Sequence, residues 1–312
     1  MGMSDAYGPA DRSESLATIA SALDRGITLL DTGDFYGMGH NELLIAQALR
    51  ERRREEVVIS VKFGAQRAPD GAWLGYDGRP QAVKSSLAYT LRRLHTDYVD
   101  IYRPARVDAN VPIEETVGAI AEMVQRGYVR YIGLSEAGAQ TMRRANAVHP
   151  ICDLQIEYSI VTRGIEAQIL PAARELGIGI TAYGVLSRGL ISGHWSKDRT
   201  VAPNDFRAHG PRFSGENLDR NLALVELLRA LANERGITPA QLAIAWVLSR
   251  GDDIVPLVGA RRVARLDESL GALDVGLHEE DLRAIDKFAP HEAIAGARYA
   301  GPQMAMLDSE RG

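Results

Sequence analysis

The chain has 312 residues, of which 46% are hydrophobic and 25% charged, and its formal net charge is −5. That length admits two domains of about 100–200 residues or one α/β barrel, and the acidic balance argues against a general nucleic-acid surface. The single cysteine, Cys152, excludes an intramolecular disulfide framework. Apolar stretches such as 242–248 are far short of the roughly 20 residues that cross a bilayer, and Met1 to Tyr7 lacks the basic and apolar regions of a signal peptide, so a cytoplasmic α/β protein is expected.

Apolar runs of strand length fall at 27–33, 57–63, 98–104, 129–136, 152–158, 179–185 and 254–259. Each is short, nearly continuous and rich in Ile, Val or Tyr, as strands covered on both faces require. Helical patterns occupy 13–24, 41–51, 81–94, 112–126, 139–148, 166–176, 218–235 and 262–273. A further helix at 238–249 starts with Thr238 as N-cap and Pro239 at the first helical position. Glycines follow helix ends at Gly26, Gly127, Gly177 and Gly236, where a left-handed cap is useful.

Repeated strand-then-helix units imply a parallel sheet. No G-x-G-x-x-G follows any of the seven strands, since Gly37-Met-Gly39 lacks the third glycine. The pattern therefore predicts a single (β/α)8 barrel over 1–312 with one strand unaccounted for. Residues 187–216 form a long segment without clear periodicity, expected at the binding mouth, and 289–312 form a C-terminal tail.

Barrel chemistry sits where strands end. Those ends carry Asp31 and Tyr36, Lys62, Arg103 with Arg106, Ser135 with Glu136, Gln155 with Tyr158, Tyr183, and Gly259 with Arg261. The most informative set is Asp31, Tyr36 and Lys62. A tyrosine of ordinary pKa near 10 is a poor acid at neutral pH. A lysine ammonium beside it favours the phenolate, and an aspartate holds that lysine in place. Such a set suits protonation of a carbonyl oxygen as hydride reaches its carbon. Singly, the three read as a turn cap, a packed ring and a solvated rim lysine; together at successive strand ends they read as a site.

The segments carrying these residues resemble the aldo-keto reductases. Leu30-Asp-Thr-Gly-Asp-Phe-Tyr-Gly37 is similar to the family signature around its aspartate and tyrosine, and Val61-Lys-Phe63 to the strand bearing its lysine. Val111-Pro-Ile-Glu-Glu115, Ile132-Gly-Leu-Ser135, Leu154-Gln-Ile-Glu-Tyr158 and Val185-Leu-Ser-Arg-Gly-Leu-Ile-Ser-Gly193 resemble later blocks, in order, over about residues 2 to 290. The resemblance implies an eight-stranded barrel, NADPH bound extended without a Rossmann motif, and hydride transfer to a small-molecule carbonyl, in a monomer or weak homo-oligomer. It makes Tyr36 the proton donor, with Lys62 lowering its pKa and Asp31 orienting Lys62. Ser135 and Gln155 match the positions that hold the nicotinamide carboxamide, and Tyr183 the aromatic that stacks on the ring. Leu186, Arg188 and Gly189 fall in the loop that follows the pyrophosphate. Gly259-Ala-Arg-Arg-Val-Ala-Arg265 resembles the 2′-phosphate site, with Arg261 and Arg265 as fork-shaped donors and Glu268 and Ser269 toward the adenine; on spacing alone this segment reads equally as an exposed basic helix start.

Three departures stand out. Where the family has Asn after its serine, this chain has Glu136. Where many members have Tyr-Gln-His-Arg-Val-Asp, this chain has Arg103-Pro-Ala-Arg-Val-Asp108, so Ala105 replaces the histidine that fixes the carbonyl, as in pyridoxal-reductase-like members. Arg103, two residues earlier on the strand and so on the same side, is then the candidate second donor or a rim ion pair. Space beside Ala105 would admit aromatic or heterocyclic aldehydes; His40 reads as a surface residue. Lastly, Met1-Gly-Met-Ser4 is similar to the turn after the family's first barrel strand, so the N-terminal hairpin and that strand are expected to be missing. A misassigned start codon explains this most simply, and another segment or subunit filling the gap is the alternative.

The predicted function is NADPH-dependent reduction of an aldehyde or ketone. The alternative is a non-catalytic NADPH sensor, as the β-subunits of potassium channels resemble. A metal-dependent hydrolase is disfavoured, because the seven histidines show no His-x-His or His-Glu-x-x-His spacing.

Overall fold

In a computed structural model that describes all residues except 204, 291, 292 and 312, seven strands form one parallel sheet. They are β1 (Leu29–Gly33), β2 (Val58–Phe63), β5 (Val99–Pro104), β6 (Val129–Ser135), β7 (Ile151–Glu157), β8 (Gly179–Tyr183) and β9 (Ile254–Pro256). Their spatial order is β1-β2-β5-β6-β7-β8-β9. Strands β3 (Ala65–Arg67) and β4 (Trp73–Tyr76) pair only with each other, in an antiparallel hairpin just past β2. The predicted strands are all present, six trimmed by one to three residues and β7 shifted by one toward the N-terminus. The greatest loss is in β9, which stops at Pro256, a residue without the N–H a longer ladder needs.

Helices cover the sheet because each strand is buried on its outer face. Pro80–Leu94 turns Val83, Leu87 and Leu94 inward, and Ile113–Gln125 turns Ile113, Val117 and Ile120 inward. Against them lie Ile59, Val61 and Phe63 of β2 and Tyr102 of β5, with Phe63 stacked on Tyr102 at 4.4 Å. The caps follow the sequence closely. Gly26, Gly127, Gly177 and Gly236 all adopt positive φ, and Thr238 forms a capping box with Gln241 at the head of Pro239–Leu248. Helix Glu279–Phe288 lay outside the predicted elements.

Among the described residues the sheet does not close: β1 pairs only with β2, and β9 only with β8. The outer helices do meet across this opening, through Arg25–Asp267 and Arg262–Glu14 ion pairs. The first nine residues lie there too. Asp5 accepts from the Gly37 N–H, Ser4 from Asn41, and Ala6 O from the Phe206 N–H. On the other side, Arg261 Nη1 donates to the carbonyls of Tyr7 (3.0 Å) and Pro9 (3.2 Å). No helix is long and apolar enough to cross a membrane among the described residues.

Candidate active site

Adjacent parallel strands in register carry neighbouring residues to one level, and β1, β2 and β5 align Gly33 with Lys62 and Lys62 with Arg103. Lys62 Nζ binds Asp31 Oδ2, and both side chains are about 5% exposed. Asp31 Oδ1 also accepts from Ser60 Oγ (3.0 Å) and Gln155 Nε2 (2.7 Å). Burial alone would raise the Asp31 pKa, but Lys62 and Arg103 bring it below the ordinary carboxylate value. Burial likewise lowers the Lys62 pKa, against the pull of Asp31.

Tyr36 stands just past β1, with its ring 4.8 Å from that of Phe35 and 5.1 Å from Lys62 Nζ. Burial, and then the Asp31 carboxylate, hold its phenol pKa well above 10, and Arg106 acts against that rise. Bound to Asp31, Lys62 presents a nearly neutral pair to the phenol. The proton therefore stays on Tyr36 at neutral pH.

Ser135 and Glu136 end β6. Ser135 Oγ has only a long contact from Arg106 Nη1 (3.4 Å), so its hydrogen-bonding capacity is largely unspent. Gln155 spends an N–H on Asp31, and its carbonyl oxygen has no described protein partner. One hydroxyl and one amide oxygen are thus available side by side on paired β6 and β7, a donor and acceptor set that fits a carboxamide. Tyr183, at the end of β8, donates to Glu136 Oε1 (2.6 Å) and lies 2.8 Å from Tyr299 Oη.

Glu136 is fully buried at φ +51, a costly conformation for a residue with a side chain. Its carboxylate accepts both Nη groups of Arg298 at 2.9 Å, Ser309 Oγ at 2.6 Å and the Glu157 N–H at 3.1 Å. Part of the tail 289–312 is thereby locked over the mouth; residues 291, 292 and 312 lie outside the described residues. Glu157 accepts from Arg188 (3.4 Å) and Arg212 (3.1 Å) of the 187–216 loop, of which residue 204 also lies outside the described residues. Burial alone would raise the Glu136 pKa, yet Arg298 brings it down to about 2 from an ordinary 4.5. A depressed acid stabilises the fold above its unfolded pKa and ceases to do so as pH falls through its folded one. Wild type is therefore expected to lose about 3 kcal/mol between pH 4.5 and 2 from this group. Glu136→Gln should be less stable at neutral pH and flatter across that window in urea unfolding at fixed pH; an unchanged pH slope would contradict the assignment.

In the loop after β8, Leu186, Arg188 and Gly189 turn tightly, the last two at positive φ. Arg188 also donates to the Arg298 carbonyl at 2.7 Å. Beyond β9, Gly259 is exposed with open space where a Cβ would stand. Arg265 pairs with Glu268 at 2.8 Å, Glu268 accepts from His194, and Ser269 Oγ donates to the Arg265 carbonyl. Arg265 is half exposed, whereas Arg261 is engaged by the first nine residues.

Three expectations are corrected. The Tyr36 pKa is raised and not lowered, because burial and the Asp31 carboxylate dominate and Lys62 is paired with Asp31. Arg103 is not at the mouth: it is fully buried, 2.9 Å from Asp153 and 2.8 Å from Ser60 Oγ. Strand alternation gives the side a residue faces but not its depth. Ala105 opens no space, being 2% exposed, with its carbonyl covered by Arg106 Nη1 at 2.6 Å. His40 is at the surface against Ser4, as expected. Sequence reasoning missed Arg298 and Tyr299. The available signal was Glu136 itself, since an acid in a buried neutral position requires a cation.

An open barrel of seven parallel strands that sets a tyrosine beside a buried lysine–aspartate pair at its strand ends has the framework of an oxidoreductase. Residues 1–290 match the model of the aldo/keto reductase family. The chain is 45% identical over 302 residues to a probable aldo-keto reductase from Glycine max, covering 96% of this chain and 86% of that protein. Its fold is similar to that of a glycerol dehydrogenase from Gluconobacter oxydans, with TM-score 0.84, 29% identity and 92% and 89% of the two chains covered. It also resembles an aldo/keto reductase from Klebsiella pneumoniae solved with NADP and acetate, with TM-score 0.69, 26% identity and 89% and 86% covered. The chain belongs to the aldo/keto reductase family and is an oxidoreductase.

Proposed function

We propose that this protein reduces an aldehyde or ketone to the alcohol with NADPH. The observation that carries the reading is the buried Lys62–Asp31 pair beside a Tyr36 phenol that keeps its proton at neutral pH. Bound NADPH supplies the hydride. Ser135 and the Gln155 carbonyl oxygen would hold its carboxamide, Tyr183 its ring, and Arg265 with Arg261 its 2′-phosphate, with Glu268 and Ser269 toward the adenine. The Klebsiella relative, solved with NADP, supports this choice of cofactor.

Tyr36 gives its proton to the carbonyl oxygen as negative charge develops there, and solvent restores it. A phenol of raised pKa donates only when that charge is large, which ties proton delivery to carbon reduction. Lys62 and Asp31 fix the floor on which Tyr36 rests. Ala105 in place of the histidine supports one other reading, an NADPH sensor without turnover.

Steady-state NADPH oxidation with a panel of aldehydes separates the two. Turnover is expected, and tight NADPH binding without turnover would leave only the sensor. In the same assay Arg265→Ala should weaken NADPH by roughly 10–100-fold, one charge-assisted interaction, and leave NADH nearly unchanged. Equal losses for both cofactors would contradict its place at the 2′-phosphate.

A further inference from the structure

Most arginines packed round the tail and the 187–216 loop are matched by a described carboxylate, while Arg261 donates to the Tyr7 and Pro9 carbonyls and Arg67 to the Gly71 carbonyl. Arg188 and Arg212 pair with Glu157, Arg298 with Glu136, and Arg207 with Asp205. Arg106 makes no ion pair with any described carboxylate. Its Nη1 donates to the Ala105 carbonyl (2.6 Å) and weakly to Ser135 Oγ (3.4 Å), and its Nη2 to Tyr299 Oη (3.2 Å). Its Nε–H and the second Nη2 hydrogen have no partner among the described residues. The groups whose fields act on it are the Tyr299, Tyr183 and Tyr76 hydroxyls and Glu136, the last already spent on Arg298.

Arg106 is half-buried, and a guanidinium with unspent donors that stays within reach of solvent can receive an anion at little desolvation cost. Nε–H and a neighbouring Nη–H form the planar fork that two carboxylate oxygens match. Arg106 follows the end of β5, the strand paired with the Lys62 strand β2, and reaches Ser135 at the end of β6, so it stands at the same strand ends as the proton donor. On the same rim, Phe35 meets Tyr36 at 4.8 Å and Trp73 at 6.4 Å, and Trp73 meets Tyr76 at 5.1 Å. These rings give an aromatic wall next to the unmatched cation.

We infer that the carbonyl substrate carries a carboxylate, that Arg106 receives it, and that the aromatic wall accepts a ring beside it. The inference rests on the reductase reading and narrows its substrate class to oxo acids. The reaction is unchanged in balance: the carbonyl carbon gains a hydride, its oxygen a proton from Tyr36, and the carboxylate leaves as it entered.

The test pairs phenylglyoxylate with its methyl ester, which share the ring and ketone and differ in the anion. Wild type is expected to favour the acid at least tenfold in kcat/KM, chiefly through KM. Arg106→Met, and Arg106→Gln, which keeps hydrogen-bonding capacity, should each reduce the acid-to-ester ratio at least tenfold. Arg106→Lys, keeping charge without the fork, should fall between. Binding of phenylacetate, which has no reducible carbonyl, followed by calorimetry should weaken at least tenfold in Arg106→Met and Arg106→Gln. Equal use of acid and ester by wild type, or variants that lower both alike, would overturn the inference while leaving the reductase reading intact. If neither compound is reduced, the aldehyde panel still decides the reductase reading, and phenylacetate binding decides whether Arg106 receives a carboxylate.

Discussion

Tyr36→Phe is expected to abolish carbonyl reduction, lowering kcat by about 10²–10⁴-fold, or roughly 3–5 kcal/mol of barrier, while NADPH affinity stays nearly intact. The variant is clean because the side-chain contacts described for Tyr36 are made by its ring, which phenylalanine keeps. The ring keeps its edge contact with Phe35 and its position by Lys62. Lys62→Met would be less informative, since it strands the Asp31 carboxylate in a site about 5% exposed, with only Ser60 and Gln155 to satisfy it. Loss of activity there mixes catalysis with folding. Retention of more than about a tenth of kcat by Tyr36→Phe, a barrier change under roughly 1.4 kcal/mol, would point to a different acid.

The part of the site that this variant addresses was legible because it is local in the strand order. Asp31 and Lys62 lie on adjacent strands β1 and β2, each at the polar end of an apolar run, so reading the strands also collected the residues. Helix ends were legible for a similar reason: each depended on one glycine or one Thr-Pro pair that needs no tertiary partner. Hairpin β3–β4 was not, because a three-residue and a four-residue strand with Gln66, Arg67 and Gly75 have no apolar periodicity, and Trp73 and Leu74 are exposed. The Glu136–Arg298 pair joins positions 162 residues apart, and only the folded chain brings them together. Arg106 is plain in the sequence as a neighbour of Ala105, but what distinguishes it is that no described carboxylate pairs with it, and that depends on where the other acids lie in the fold.

Arg103 teaches the opposite lesson, and its variant carries the other large expected effect. Arg103→Met should destabilise the protein by about 3–5 kcal/mol, the cost of leaving a buried carboxylate without its cation. Asp153 is that carboxylate: 7% exposed, 2.9 Å from Arg103, and also accepting from Thr181 Oγ1 at 2.6 Å. The surrounding sequence makes room for the pair. A Cβ at Gly133 on β6 would stand 2.4 Å from Asp153 Oδ1 and 3.2 Å from Arg103 Nε, so the glycine in Ile132-Gly-Leu-Ser135 leaves the space that the two side chains fill. If the pair is structural, removing both charges should cost less than removing one. Arg103→Met combined with Asp153→Leu is then expected to recover at least about 1 kcal/mol relative to Arg103→Met alone, measured by urea unfolding. Asp31 and Lys62 also feel Arg103, so some loss of rate accompanies the loss of stability without making Arg103 a substrate ligand. The distinguishing result is stability within about 0.5 kcal/mol of wild type together with a large rise in KM, which would return Arg103 to the mouth. With Arg103 fully buried against Asp153, Arg106 is the arginine of the Arg103-Pro-Ala-Arg106 segment that a substrate can reach.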